Sequence, residues 1–349
     1  MHQNHIGNFF EEKPAYSTYH GAMYEGDSLK YLRSMPSDCV DLVVTSPPFA
    51  LVRKKEYGNE AEDKYVTWFT KFAIEVLRVL RDTGSFVIDI GGSWIQGAPI
   101  RSTYHYQLLI ELTRPGRFHL AQDFFWYSPS KLPTPAEWVT VRKIRAKDAV
   151  DTIWWLSKTE FPKASNDRLY VEYSQAMLEL FENGYKAKKR PSGHDISNNF
   201  LKNRGGAIPS NLIVVSHTSS NDYYQRRCRQ EGLPVHPARF PPDIPFFFIQ
   251  MLTDPNDLVV DIFAGSNVTG WVCEHSSRHW LSFELDHSYV KGSQFRFEDN
   301  CPPPNLSGIG PQEAVLFRPI RVRAKPEILN NGRTRSSSNL QIADKRNEL

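Results

Sequence analysis

Val40-Asp41-Leu42-Val43-Val44 is short, rich in β-branched residues and almost wholly apolar. That is the composition of a strand buried on both faces of a parallel sheet. The run passes through Thr45 into Ser46-Pro47-Pro48-Phe49. Two successive prolines end the hydrogen-bond ladder and fix φ, so the turn is stiff and its carbonyls point in set directions. A hydroxyl, rigid carbonyl acceptors and an aromatic ring therefore stand at the carboxyl end of a buried strand, where open α/β sheets bind ligands. Such a group suits a flat, amine-bearing base, with acceptors for its N–H groups and a ring to stack on it. Taken alone, the stretch is equally a proline-rich turn, and the rest of the chain has to decide.

A second joint of the same kind lies far downstream. Leu258-Val259-Val260-Asp261-Ile262-Phe263 opens into Ala264-Gly265-Ser266 and then a helix, and Glu284 ends the next strand. The glycine lets backbone approach a ligand, and the later acid can accept hydrogen bonds from ribose hydroxyls. A dinucleotide site is the natural competitor. The G-x-G-x-x-G fingerprint is absent here, however, and no lysine-bearing phosphate loop occurs in the chain. An adenosine cofactor without a pyrophosphate fits better.

Ser46-Pro47-Pro48-Phe49 resembles the catalytic motif of the DNA methyltransferases that modify exocyclic amines. The serine form is typical of cytosine-N4 enzymes, whereas adenine-N6 enzymes more often carry Asp or Asn in its place. Asp261, Phe263, Gly265, Ser266 and Thr269 fall on the S-adenosylmethionine motif of the same enzymes. The catalytic strand comes first, the cofactor strand last and a basic segment between, which is the circularly permuted order of the β group. The resemblance covers about residues 19–300 and includes Lys131, Pro133 and His236-Pro237.

This resemblance implies an α/β fold: a Rossmann-like, mostly parallel methyltransferase sheet with permuted motifs and a target-recognition insert. It implies S-adenosyl-L-methionine as cofactor and double-stranded DNA as partner, with methylation at cytosine N4 in a short palindromic site such as CAGCTG. A cognate restriction endonuclease acting on the same site is expected. Ser46 and the Pro47 carbonyl would accept from the amine, Pro48 would stiffen the turn and Phe49 would stack on the flipped base. Asp27, Asp261, Phe263, Gly265, Ser266 and Glu284 would hold the cofactor, although Asp27 also reads as a helix N-cap. Arg53, Lys131, Lys188, Lys189, Arg190 and His194 are the candidate DNA contacts. No strong base is evident in the sequence.

The expected organisation is an irregular arm over residues 1–18 and a catalytic half over 19–159. A DNA-reading insert follows over 160–232, then a cofactor half over 233–300 and a poorly ordered tail over 301–349. Tyr65, Trp68, Phe69, Phe72, Val76, Leu77 and Leu80 have the spacing of an amphipathic helix. Gly84 is expected to stop that helix before a strand over residues 85–90. Two later strands, over residues 118–127 and 149–156, resemble the hairpin that closes a methyltransferase sheet. In the insert, Arg226, Arg227 and Arg229 add to the basic residues suited to DNA.

The net charge of +3 permits a nucleic-acid partner without demanding one. Cys39, Cys228, Cys273 and Cys301 have neither a C-x-x-C pair nor zinc spacing, so free thiols and no metal are expected. No apolar run approaches the roughly 20 residues of a membrane span, and a cytoplasmic monomer or weak dimer is expected. Adenine-N6 methylation by the same fold, and a catalytically silent DNA-binding module, remain the alternatives.

Overall fold

The structure, a computed structural model, describes residues 9–49, 62–184, 201–216 and 221–306. Its strands are β1 (Tyr16–Ser17), β2 (Gly21–Glu25), β3 (Val40–Thr45), β4 (Leu80–Ile90), β5 (His119–Tyr127), β6 (Val150–Ser157), β7 (Leu212–Val214), β8 (Leu258–Asp261) and β9 (His279–Glu284). The helices are α1 (Ser28–Ser34), α2 (Glu62–Val79), α3 (Tyr104–Leu112), α4 (Gln175–Asn183), α5 (Tyr223–Gln230), α6 (Asp243–Leu252), α7 (Val268–His275) and α8 (His287–Ser293).

Among the described residues the strands form one sheet in the order β1-β2-β9-β8-β3-β4-β6-β5-β7. From β2 to β4 every pairing is parallel, while β6 runs antiparallel to both β4 and β5. This is the mostly parallel sheet with a late hairpin that the sequence implies. β3 and β8 lie side by side at its centre, paired through Leu42–Val259 and Val43–Val260. From them the chain winds outward in opposite directions, which makes their junction the switch point where such sheets bind ligands.

Every residue of β3 is buried, because helices cover both faces. On one face α1, α2 and α3 pack Leu32, Phe69, Val76 and Leu108 against Val43, Ile88 and Phe283. On the other, α6 and α7 pack Phe248, Leu252 and Val272 against Leu42, Val44, Val87 and Trp280. Asp27 caps α1, accepting from the Leu29 N–H at 2.9 Å, so its N-cap reading holds.

Three local expectations need correction. Gly84 does not stop α2; the helix ends at Val79 and Gly84 lies inside β4, where pairing with β3 shifts register between Val40 and Leu42. The stretch after Glu160 is also less separate than its composition implies. β7 joins the sheet beside β5, a strand too short to show period-two alternation. Lys163 and Arg168 tie back to Asp254 at 3.1 and 2.5 Å.

The third correction concerns the arginines of α5. Arg227 donates to both Glu298 oxygens at 2.9 and 3.0 Å, pairs with Glu231 at 2.9 Å and stacks over Phe295. Arg229 donates to Gln225 and Asn221. Cys228 is fully buried, with its sulfur against Gly292 of α8. α5 therefore docks on the cofactor half, and Arg227 holds it there. Arg227→Ala should lower the urea midpoint while leaving the salt dependence of DNA binding unchanged. Loss of a phosphate contact would instead flatten that slope by about 0.9 log unit.

Candidate active site

The parallel strands deliver their carboxyl ends to one edge of the sheet, and the central pair is fastened there by a single buried acid. Asp261, the last residue of β8, accepts from Thr45 Oγ1 at the end of β3 and from Thr269 Oγ1 on α7, each at 2.7 Å. The Phe263 N–H adds a third bond at 3.1 Å. Burial pushes this carboxyl up to about 6 even though the three donors pull it down. Asp261 thus binds the two predicted motifs together, and its oxygens are committed to the protein itself.

Ser46 follows Thr45 directly and is half-buried, Pro47 is buried, and Pro48 and Phe49 are half-buried. The Phe49 ring lies over Gly91, just past β4, where a side chain has no room: a Cβ there would sit 2.5 Å from Phe49 Cε2. The Gly91 carbonyl is held from below by the Tyr104 hydroxyl of α3. The turn is therefore seated on backbone that is itself pinned.

Behind the serine is an acid that the sequence reading missed. Ser46 Oγ donates to Asp89 Oδ2 at 3.1 Å. Asp89 is buried, and its Oδ1 has no hydrogen-bond partner among the described residues. Burial, and then the nearby Asp151 carboxylate, push the Asp89 carboxyl well above the usual range, against the pull of Ser46 and Lys131. Asp151 comes from β6 and is held by Lys131, whose Nζ lies 2.7 Å from both its oxygens. Lys131, expected to face DNA, instead has its ammonium engaged within this cluster. A signal for Asp89 was present: it is an acid near the end of a buried strand before Gly91-Gly92, the same placement that drew notice to Glu284.

The second motif forms a cradle on the other side of the switch point. Gly265 has a φ of +50°, and a Cβ there would lie 2.9 Å from the His236 ring, so only glycine fits without strain. His236 is kept neutral, its pKa lowered to about 4 mainly by burial. Glu284 Oε2 accepts from the Gly265 N–H at 2.7 Å and Oε1 from the Asp286 N–H at 2.9 Å, which aligns the carboxylate along the loop. Phe263 is half-buried against Trp68 and Phe72. Ser266 is buried and held by Arg296, which donates to its carbonyl at 2.7 Å and to its hydroxyl at 3.3 Å. Arg296 gave no signal in sequence. Asp27 is exposed next to this cradle, where the Gly26 N–H donates to the Glu284 carbonyl at 2.8 Å.

Ser46, Pro47, Pro48, Phe49, Asp27, Asp261, Phe263, Gly265, Ser266, Glu284 and Lys131 are thus brought to one edge of the sheet. Arg53, Lys188, Lys189, Arg190 and His194 lie outside the described residues. The four cysteines are unpaired, and Cys39 precedes β3 at the opposite edge from Ser46. Among the described residues no group of His, Cys, Asp and Glu has the makings of a metal site, and no helix is long and apolar enough to cross a membrane.

The chain is similar to known proteins. A family described as DNA methylase matches residues 40–295. The Type II methyltransferase M.PvuII of Proteus hauseri is 52% identical over 303 residues, covering 86% of this chain and 90% of that protein. The Type II methyltransferase M.BglII of Bacillus subtilis is 24% identical, covering 82% and 70% respectively. The solved structure of the PvuII DNA methyltransferase (cytosine-N4-specific) superposes with a TM-score of 0.68 at 48% identity, covering 83% of this chain and 91% of that one.

Because Asp261 relies on donors from two elements, removing one should loosen the join between the motifs. Thr45→Val leaves a buried carboxylate oxygen short of a hydrogen bond and should cost about 1–3 kcal/mol of stability in urea denaturation. An unchanged midpoint would show that Asp261 is satisfied without β3.

Proposed function

The chain belongs to the DNA methylase family, and from that premise we infer that it moves a methyl group from S-adenosyl-L-methionine to the exocyclic N4 of cytosine in duplex DNA. One observation carries the reading. A rigid Ser-Pro-Pro-Phe turn presents its acceptors and its ring at the switch point, next to a glycine cradle that an acid lines. The serine at the head of the turn, with the likeness to a cytosine-N4-specific enzyme, favours cytosine over adenine. A short palindromic target such as CAGCTG, a cognate restriction endonuclease, a cytoplasmic setting and a monomeric or weakly dimeric state complete the proposal. A silent DNA-binding module is disfavoured, because the polar groups of both motifs are intact and aligned.

The loop ending β8 fits the cofactor. Glycine is the one residue type that at Gly265 lets this loop turn closely against the His236 ring, and Glu284 and Asp27 stand beside the loop as acceptors. Bound there, S-adenosylmethionine supplies a methyl group carried on a positively charged sulfur. The cytosine amine is a poor nucleophile because its lone pair is delocalised into the ring. Ser46 Oγ and the Pro47 carbonyl accept its two hydrogens, which draws the nitrogen toward a tetrahedral shape and stabilises the charge it gains. Phe49 stacks on the flipped base, whose extraction from the duplex costs a few kcal/mol. As the amine becomes acidic, its proton passes to Ser46 Oγ while the Ser46 proton passes to Asp89 Oδ2. Asp89 thus ends neutral, the form that its surroundings favour.

The reaction is tested by mass spectrometry of hydrolysed DNA after incubation with enzyme and cofactor. N4-methylcytosine is expected; N6-methyladenine would move the enzyme to the adenine class, and no modified base would leave a silent module. Glu284→Ala should weaken cofactor binding by roughly 1.5–3 kcal/mol in calorimetry, with DNA affinity unchanged.

Asp89 gives a pH signature. The protonated acid cannot take the Ser46 proton, so turnover should fall as pH drops through a value raised above the usual carboxylate pKa of about 3.9. The same shift acts on stability with the opposite benefit. A carboxyl raised in the folded state stabilises fully below its unfolded pKa, and that contribution is lost as pH rises through the folded value. Asp89→Asn should therefore melt higher than the parent protein at neutral pH while losing about 10²- to 10⁴-fold in turnover.

A further inference from the structure

We propose that Lys131 and Asp151 are positioning residues whose ion pair sets the charge of the cluster around Asp89 and so keeps Asp89 able to accept a proton. The proposal rests on the reading of Ser46 as the amine's acceptor. Its geometry is explicit. Asp89 and Gly91 share one face of the sheet, and Asp151 Oδ1 lies 3.2 Å from where a Gly91 Cβ would stand. Antiparallel β6 puts its first residues at this edge, with Ile153 opposite Asp89 and Thr152 opposite Ile90. Asp151, next along, therefore projects on the same side as Asp89. Lys131 closes the cluster from the turn after β5, with its Nζ on both Asp151 oxygens at 2.7 Å. That turn is itself braced, since Lys147 donates to the carbonyls of Pro129 and Lys131.

The charge count gives this arrangement its consequence. Two buried carboxyl groups and one half-buried ammonium share the site. With Lys131 matched to Asp151, the proton at Asp89 decides whether the cluster is neutral or singly negative. When Ser46 hands over its proton, the cluster passes from singly negative to neutral, the favourable direction in a desolvated site. Without Lys131 the cluster begins doubly negative, and Asp89 holds its proton to higher pH, where it cannot accept another. The groups acting on Asp89 are Asp151 from β6, Lys131 from the turn after β5 and the hydroxyl of Ser46 after β3. Arg101 and Asp148 pair with one another beside Gly92, one residue beyond Gly91.

The test is the pH profile of turnover in the full-length protein with duplex DNA and cofactor, for three variants. Lys131→Met should move the acidic limb to higher pH, losing about tenfold in rate for each unit of displacement on that limb and recovering at alkaline pH. Asp151→Asn should move it to lower pH. The double variant, which removes both charges, should return the limb toward that of the parent protein, whereas a purely structural pair would leave it at least as impaired as either single variant. A second measurement needs neither DNA nor cofactor and survives a poorly folding variant. Difference infrared spectroscopy of the parent protein should show a protonated-carboxyl band, absent from Asp89→Asn, that titrates with the acidic limb. If no methylated base is formed, the proposed reaction fails, yet the infrared titration still judges the cluster. A limb that stays put in both single variants overturns the proposal. So does a double variant as displaced as Lys131→Met, or an altered salt slope of DNA binding in Lys131→Met with no change in its pH profile, which would return Lys131 to a phosphate contact.

Discussion

The Asp261 carboxylate is the interaction on which the rest of the active edge depends. Two strands 216 residues apart in sequence meet at the centre of the sheet, and backbone pairing between them is short, limited to Leu42–Val259 and Val43–Val260. No backbone pair joins the strands beyond those two. Asp261 spans the opening from Thr45 to Thr269. It fixes the distance between the Ser46–Phe49 turn and the Gly265 loop, the two sides of the proposed site. In-line transfer tolerates little error in that distance, so a buried, fully bonded acid is a reasonable expense of polar groups in an otherwise apolar core.

Two buried acids at the same edge are used in opposite ways. Asp261 is ringed by donors and is raised only to about 6. Asp89 has one hydroxyl donor, a second carboxylate nearby and an oxygen lacking a partner among the described residues. The first is a fastening, held fixed by its bonds. The second is left under-satisfied, which costs stability and gives it an appetite for a proton. The proton acceptor proposed here needs such a group, and an acid that anchors a strand must not resemble it.

What sequence disclosed and what it withheld follow from how local each feature is. Ser46 to Phe49 and Asp261 to Ser266 were legible because a strand end, a turn and its special residues are consecutive, and the resemblance assigned them roles. The β5–β6 hairpin was anticipated, but not that β6 would insert between β4 and β5. Nor was the consequence: reversing one strand brings Asp151, from the start of β6, to where the other strands end. The Asp89–Asp151–Lys131 cluster draws on three elements with no common spacing, so no periodicity marks it. Arg227 was misread because charge in a sequence has no direction; its partner, Glu298, lies 71 residues on. Gly84 was misread because a glycine after a helical pattern reads as a stop, whereas β4 simply begins earlier, at Leu80.

The order of the strands also governs how the protein comes into being. β3 is synthesised long before β8, its neighbour on one side, and β2 waits still longer for β9, with Gly21 meeting Trp280. On the ribosome the half bearing Ser46 can settle against β4 while its other edge stays open. An apolar strand with one bare edge invites pairing with the wrong chain. The seams to β8 and β9 are thus the last to close, and the two motifs meet only when nearly the whole sheet has been made. For a protein of this order, contacts of such long range slow the final assembly, and competence arrives in a single late step rather than by degrees.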